Sequence, residues 1–132
     1  MRHPRLQEFD NKMKQIFDEV DAYLEDRYGD RYPLHPARAA HGSTANPEHS
    51  GLFTVGADFT AGYGSDLGRG YLLAVDIKTL TDVPDDVEDE IDQVAVEKVR
   101  ELLPLYFPER RLEVSRDGRH FKIHGELRLG NA

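Results

Sequence analysis

Phe53-Thr54-Val55-Gly56-Ala57-Asp58-Phe59-Thr60-Ala61 and Tyr71-Leu72-Leu73-Ala74-Val75-Asp76-Ile77-Lys78 carry the pattern on which the fold turns. In the first run Phe53, Val55, Ala57, Phe59 and Ala61 alternate with Thr54, Gly56, Asp58 and Thr60. In the second, Tyr71, Leu73, Val75 and Ile77 alternate with Leu72, Ala74, Asp76 and Lys78. A period of two sends one set to each face of an extended strand, and aromatic and β-branched residues suit such a half-buried surface. The connector Gly62-Tyr63-Gly64-Ser65-Asp66-Leu67-Gly68-Arg69-Gly70 is too long for a two-residue turn, so the pair reads as a hairpin with an open, flexible, glycine-shaped tip.

Upstream lies an irregular stretch, 33–50, with three prolines and a Gly-Ser-Thr cluster but neither helical nor strand period. It exceeds the roughly 12–15 residues at which unstructured connections become uncommon, which makes it functional or mobile. Before it, Leu6, Phe9, Met13, Ile16, Phe17, Val20 and Leu24 recur every three or four residues. That spacing predicts an amphipathic helix from Arg5 to about Tyr28, stopped by Gly29 and Pro33.

Downstream, the period lengthens again. Thr81 or Asp82 can cap a second helix, Pro84 suits its first turn, and Asp85, Asp86 and Glu88 complement its dipole. Its stripe is Val83, Val87, Ile91, Val94, Ala95, Val99, Leu102, Leu103 and Tyr106, with Pro104 expected to end or kink it near Leu103. Leu112, Val114, Phe121, Ile123, Leu127 and Leu129 then read as a second hairpin around Asp117-Gly118, with Gly125 as a bulge. The order helix, hairpin, helix, hairpin gives an α+β class: a four-stranded antiparallel sheet with two helices on its apolar face. Residues 1–132 form one domain, as the length suggests.

Composition narrows the function. With 39% hydrophobic and 32% charged residues the chain is globular rather than disordered. Its zero cysteines exclude disulfides and thiolate chemistry and fit a reducing cytoplasm. No apolar run follows the basic start Met1-Arg2-His3-Pro4-Arg5, so no signal peptide or membrane span is expected. A net charge of -8 argues against a general nucleic-acid partner. The excess concentrates in Asp82–Glu101, while the segment after Pro108 is locally basic.

Candidate chemistry falls in four places. The glycine-rich tip lacks the Lys-Ser or Lys-Thr and the helix of a phosphate loop, and its glycine spacing misses the dinucleotide fingerprint by one residue. What remains there is a ligand-contacting set, Tyr63, Ser65, Asp66 and Arg69, joined by Arg38 from the long loop. His35, His41 and His49 in the loop and Asp58 on the adjoining strand are the candidate ligands of a divalent metal. No other cofactor is expected. His120 and His124 lie on one strand face about 13 Å apart, too far to share an ion. With Lys122 they form a solvated, weakly basic face. Asp85, Asp86, Asp89 and Asp92 read as a solvated helix start, and no serine sits in a Gly-x-Ser-x-Gly elbow.

These residues point to a small cytoplasmic binding or assembly module that pairs with itself or another protein, because an open four-stranded sheet leaves two edges. The alternative is a small-ligand or metal-dependent enzyme with its pocket between the 33–50 loop and the 62–70 tip.

Overall fold

A computed structural model describes residues 4–44 and 46–125. The elements are α1 (Pro4–Tyr28), a short 3-10 helix (Pro47–His49), β1 (Phe53–Thr60), β2 (Gly70–Ile77), α2 (Asp85–Tyr106), β3 (Leu112–Asp117) and β4 (His120–Gly125). The four strands form one antiparallel sheet in the order β1-β2-β4-β3. The expected α+β class, helix–hairpin–helix–hairpin, is the architecture observed.

The two periodicities explain how the layers meet. Cross-strand partners Phe53–Ile77, Val55–Val75, Ala57–Leu73 and Tyr71–Ile123 share the face that the helices cover. From α1, Phe9, Met13, Ile16, Phe17, Val20, Leu24 and Tyr28 are buried; α2 contributes Ile91, Ala95, Val96, Val99, Leu102 and Leu103. α1 lies on β1, α2 lies on β3, and the helices touch each other. Burying each such side chain stabilises the fold by about 1.5–3 kcal/mol before conformational entropy is subtracted. Val96 is fully buried although the expected stripe left it out, and Val94 is only half-buried. The side chain of Leu6, and residues Leu127 and Leu129, lie outside the described residues.

Four local expectations are corrected. The N-cap of α2 is Pro84, with no side-chain cap from Thr81 or Asp82; its carbonyl accepts the amides of Val87 and Glu88. The helix also runs through Pro104 to Tyr106. Proline removes one interior hydrogen bond, and its ring here is exposed. The continuing turn is drawn inward by buried Phe107, whose ring lies 5.0 Å from that of Phe9 in a tilted contact, and by the Tyr106 hydroxyl, which donates to Glu19 at 2.6 Å. Gly125 is the last described residue of β4; it pairs opposite Leu112 at φ +118°, where a Cβ would strike the Arg111 carbonyl, and the longer strand in which it was expected as a bulge lies outside the described residues.

The remaining two corrections concern the hairpin tip and the sheet's second face. The tip is curled rather than open. Ser65 N–H donates to the Gly62 carbonyl and Gly68 N–H to the Ser65 carbonyl, and Gly62 sits so close to Gly68 that only glycine fits. Lys122, expected on a solvated face, is 1% exposed beneath this curl. Its ammonium donates to the Gly68 carbonyl at 2.6 Å and to Ser65 Oγ at 2.9 Å, and pairs with Asp117 at 2.6 Å. The hydrogen bonds of Lys122 and of the Ser65 hydroxyl hold the Asp117 carboxyl below its ordinary range. All three donors of the buried ammonium are thereby used. Burying a charge is tolerable on such terms. The glycine-rich segment is a lid over Lys122.

Candidate functional site

The long loop is docked rather than loose. At one end the His35 amide donates to the Lys78 carbonyl, and the Thr79 hydroxyl donates to the Pro33 carbonyl. Lys14 of α1 donates to Asn46. The strongest tie is Arg38, whose guanidinium donates to the carbonyls of Ser50, Gly51 and Phe53 and to Thr54 Oγ1, at 2.9–3.1 Å. These carbonyls lie at the entry to β1, where the chain has not yet settled into the ladder, so a fork of fixed donors stands in for a missing strand. From the helix side, Glu25 Oε1 accepts the Phe53 amide at 3.0 Å. The loop is therefore sewn to α1 and to the start of β1.

That docking assembles a polar cluster at the edge of the core. Asp21 and Glu25 are one helical turn apart on α1 and face the same way. His41 comes from the loop, and one ligand atom of each residue lies within 4.8 Å of the others. Among the described residues this is the group of three His, Asp or Glu side chains placed to share an ion. The three are graded in depth: Asp21 is buried, Glu25 half-buried and His41 exposed. Gly51 completes the packing. Its φ of +78° favours glycine, and a Cβ there would collide with Glu25 Oε1 and crowd His41. Glu25 and His41 also line a cleft of about 780 Å³, walled by the 29–34 turn, Gly51 and Leu52.

Asp21 is the unusual member. It is 1% exposed, and neither of its carboxylate oxygens has a hydrogen-bond partner. Burial chiefly, then the neighbouring charge of Glu25, pushes its pKa up from 3.8 to about 7; Arg38 opposes this and loses. Buried Ser50, which precedes Gly51, has an unpartnered Oγ as well. A buried, unpartnered polar group destabilises a fold by about 1–3 kcal/mol, more when it is charged. Two adjacent carboxylates and an imidazole form a hard-to-borderline donor set suited to Zn²⁺, Mn²⁺ or Fe²⁺. An ion there would neutralise the repulsion and satisfy the orphaned oxygens together.

The residues singled out from the sequence scatter around this centre. Of His35, His41, His49 and Asp58, only His41 joins it. His35 Nδ1 accepts the Ala37 amide, His49 is exposed, and Asp58 is exposed on the sheet face away from the helices. Arg38 braces the loop. Tyr63, Asp66 and Arg69 are exposed on the curled tip, and Ser65 is taken up by Asp117 and Lys122. The loop docks at the Phe53 end of the β1–β2 hairpin and the tip closes its Thr60 end, eight paired residues away. At about 3.3 Å per residue that is roughly 23 Å, which places the loop and the tip at opposite ends of the hairpin. The cleft instead lies between the loop and α1. Asp21 and Glu25 were missed, though a signal existed: Phe17, Asp21, Leu24 and Tyr28 follow a four-three-four spacing, which puts an acid inside the apolar stripe.

The shifted Asp21 gives a stability signature. An ordinary Asp titrates near 3.9 when unfolded, so between roughly pH 4 and 7 the folded state holds the extra proton. In the metal-free protein Asp21 therefore takes stability away as pH rises through that window. In EDTA, Asp21→Asn is expected to melt higher than the parent, with the gap wider at pH 8 than at pH 5. A gap that does not change with pH, or a variant that loses ground as pH rises, would contradict the assignment.

Comparison with known proteins places the chain without assigning it chemistry. A curated protein of Borreliella burgdorferi, described as "Uncharacterized protein", is 41% identical over 125 residues, covering 95% of this chain and 98% of the relative. No solved structure matches. A family model described as "Uncharacterised protein" matches residues 4–125, a span that takes in both helices, the long loop and all four strands. The chain belongs to that family.

Proposed function

We propose that this is a divalent-metal-binding protein whose ion is held by Asp21, Glu25 and His41, with open coordination positions facing the cleft between α1 and the 33–50 loop. The observation that carries the reading is the Asp21 carboxylate, buried with both oxygens unpartnered beside a second carboxylate and an imidazole. Three protein ligands and access from a cleft leave room for a water or a small oxygen-bearing ligand on the metal. The His41 position on a docked loop supports coupling between loop order and metal occupancy, since the ion would bridge loop and helix. A cytoplasmic setting rests on the cysteine-free composition.

Isothermal titration calorimetry with Zn²⁺ and with Mn²⁺ at pH 8 tests the proposal. One saturable site per chain is expected for at least one ion, weakening as pH falls below 7 because Asp21 must give up its proton. Asp21→Asn should reduce affinity at least about tenfold, as expected when one charged ligand is lost. Absence of saturable binding by either ion, or unchanged binding by the variant, would refute it.

Self-association, the other expectation from the sequence, has one specific support. β1 is an edge strand, and Phe59 near its end is 60% exposed beside the fully displayed Tyr63. Multi-angle light scattering should then give a dimer mass that reverts to monomer on Phe59→Lys; a monomer at all concentrations up to the millimolar range would dismiss it.

A further inference from the structure

β2 is an inner strand by sheet order, yet among the described residues half of it has no strand beside it on one side. All eight of its residues pair with β1, whereas only Tyr71, Leu72 and Leu73 pair with β4. The reason is the turn at Gly118, φ +64°, which starts β4 at His120 and so ends the β2–β4 ladder at Leu73. Among the described residues no strand continues along Ala74–Ile77 on that side. The sheet has a notch.

The ladder's phase shows which backbone groups face it. Lys78 N–H donates to the Leu52 carbonyl of the β1 side, so even-numbered β2 residues address β1 and odd-numbered ones address the other side. Tyr71 and Leu73 meet β4 in keeping with this phase. Val75 therefore turns its N–H and C=O into the notch, and Ile77 its N–H; the Ile77 carbonyl is already accepting from Thr79. Two donors and one acceptor at strand spacing are a template for a further strand.

There is space for one. A cleft of about 240 Å³ begins at Arg119, His120 and Phe121, and a second of about 650 Å³ continues past Val75 to the start of α2. The two share Val75, Asp76 and Asp92, so they run on from one another in line with β4. From Leu73 to Lys78 this is roughly 17 Å, the length of about five extended residues. The walls are mainly acidic: Asp76, Asp82, Glu88 and Asp92, against Lys78 and Arg119. Asp92 is half-buried, and that burial, with the charges of Asp89 and Glu88, lifts its pKa to about 6. A cation arriving beside it would relieve both effects.

We infer that the notch is a docking site for an extended basic segment of a partner protein, which adds a short strand to the open half of β2 in line with β4. Backbone pairing at Val75 and Ile77 would supply the strand geometry; Asp92, on the helix-covered side, and Asp76, on the opposite face, would select lysine or arginine at neighbouring positions of the segment. This site is independent of the α1–loop cleft and stands or falls separately.

The test uses the full chain and two labelled hexapeptides, one of sequence Val-Lys-Lys-Val-Lys-Lys, which offers a lysine to each face, and one with glutamate in place of every lysine. Fluorescence polarisation should show saturable binding of the basic peptide and none of the acidic one. Asp92→Lys should weaken binding at least tenfold, and Asp76→Lys, at an exposed position that leaves the core intact, should weaken it too. Amide hydrogen exchange should slow at Val75 and Ile77 when the basic peptide binds. Three results would overturn the inference: no saturable binding of the basic peptide, equal binding of the acidic one, or Val75 and Ile77 amides already protected in the free protein. The last would mean that the chain or a second copy fills the notch.

Discussion

The Arg38 guanidinium is the constraint on which the rest of the site depends. Residues 50–54 carry the chain from a loop into the edge of a sheet, and the carbonyls of Ser50, Gly51 and Phe53 take their donors from Arg38. One planar fork satisfies all three and reaches Thr54 as well. A lysine could not do this, because its ammonium is a point donor on a flexible stem. With the junction fixed, Glu25 can accept the Phe53 amide, Gly51 can press against Glu25, and His41 is brought to the helix. The same guanidinium adds a positive field near Asp21 without giving its oxygens a hydrogen bond.

Among the described residues, two buried ionisable side chains, Lys122 and Asp21, obey the same physics with opposite outcomes. Lys122 is covered by the glycine-rich lid and finds a carbonyl, a hydroxyl and a carboxylate. Its burial is compensated, and it holds the hairpin tip to the sheet. Asp21 is buried as deeply and finds nothing, while a second carboxylate stands one turn away. Desolvation and like-charge repulsion both act against its ionised form. A fold keeps such an arrangement at a loss of stability, and that loss is the usual mark of a residue retained for binding rather than for packing.

The architecture was legible in the sequence because it rests on repetition. Alternation in 53–61 and 71–78 and the three-four spacing of both helices each recur over many residues, so no single exception blurs them. What was not legible depended on single contacts between distant segments. Nothing local says that Lys122 lies under Ser65 and Gly68, or that the lid curls until Gly62 meets Gly68. Polar residues on alternating positions look solvated until a loop covers them. Pro104 likewise reads as a stop, and the pull of Phe107 into the core overrides it. At the site, His41 of the histidine loop does join a polar cluster, but its partners lie on α1, where Asp21 reads as one more polar residue of an amphipathic helix. An acid at an apolar-stripe position is the local sign of that contact.

The most direct measurement is anomalous X-ray scattering from crystals grown with Zn²⁺ or Mn²⁺ above pH 7. A single strong peak is expected where Asp21, Glu25 and His41 converge, with ligand distances of roughly 2.0–2.2 Å for zinc. A peak coordinated by other residues, or none at this position while Asp21 stays unpartnered, would contradict the account.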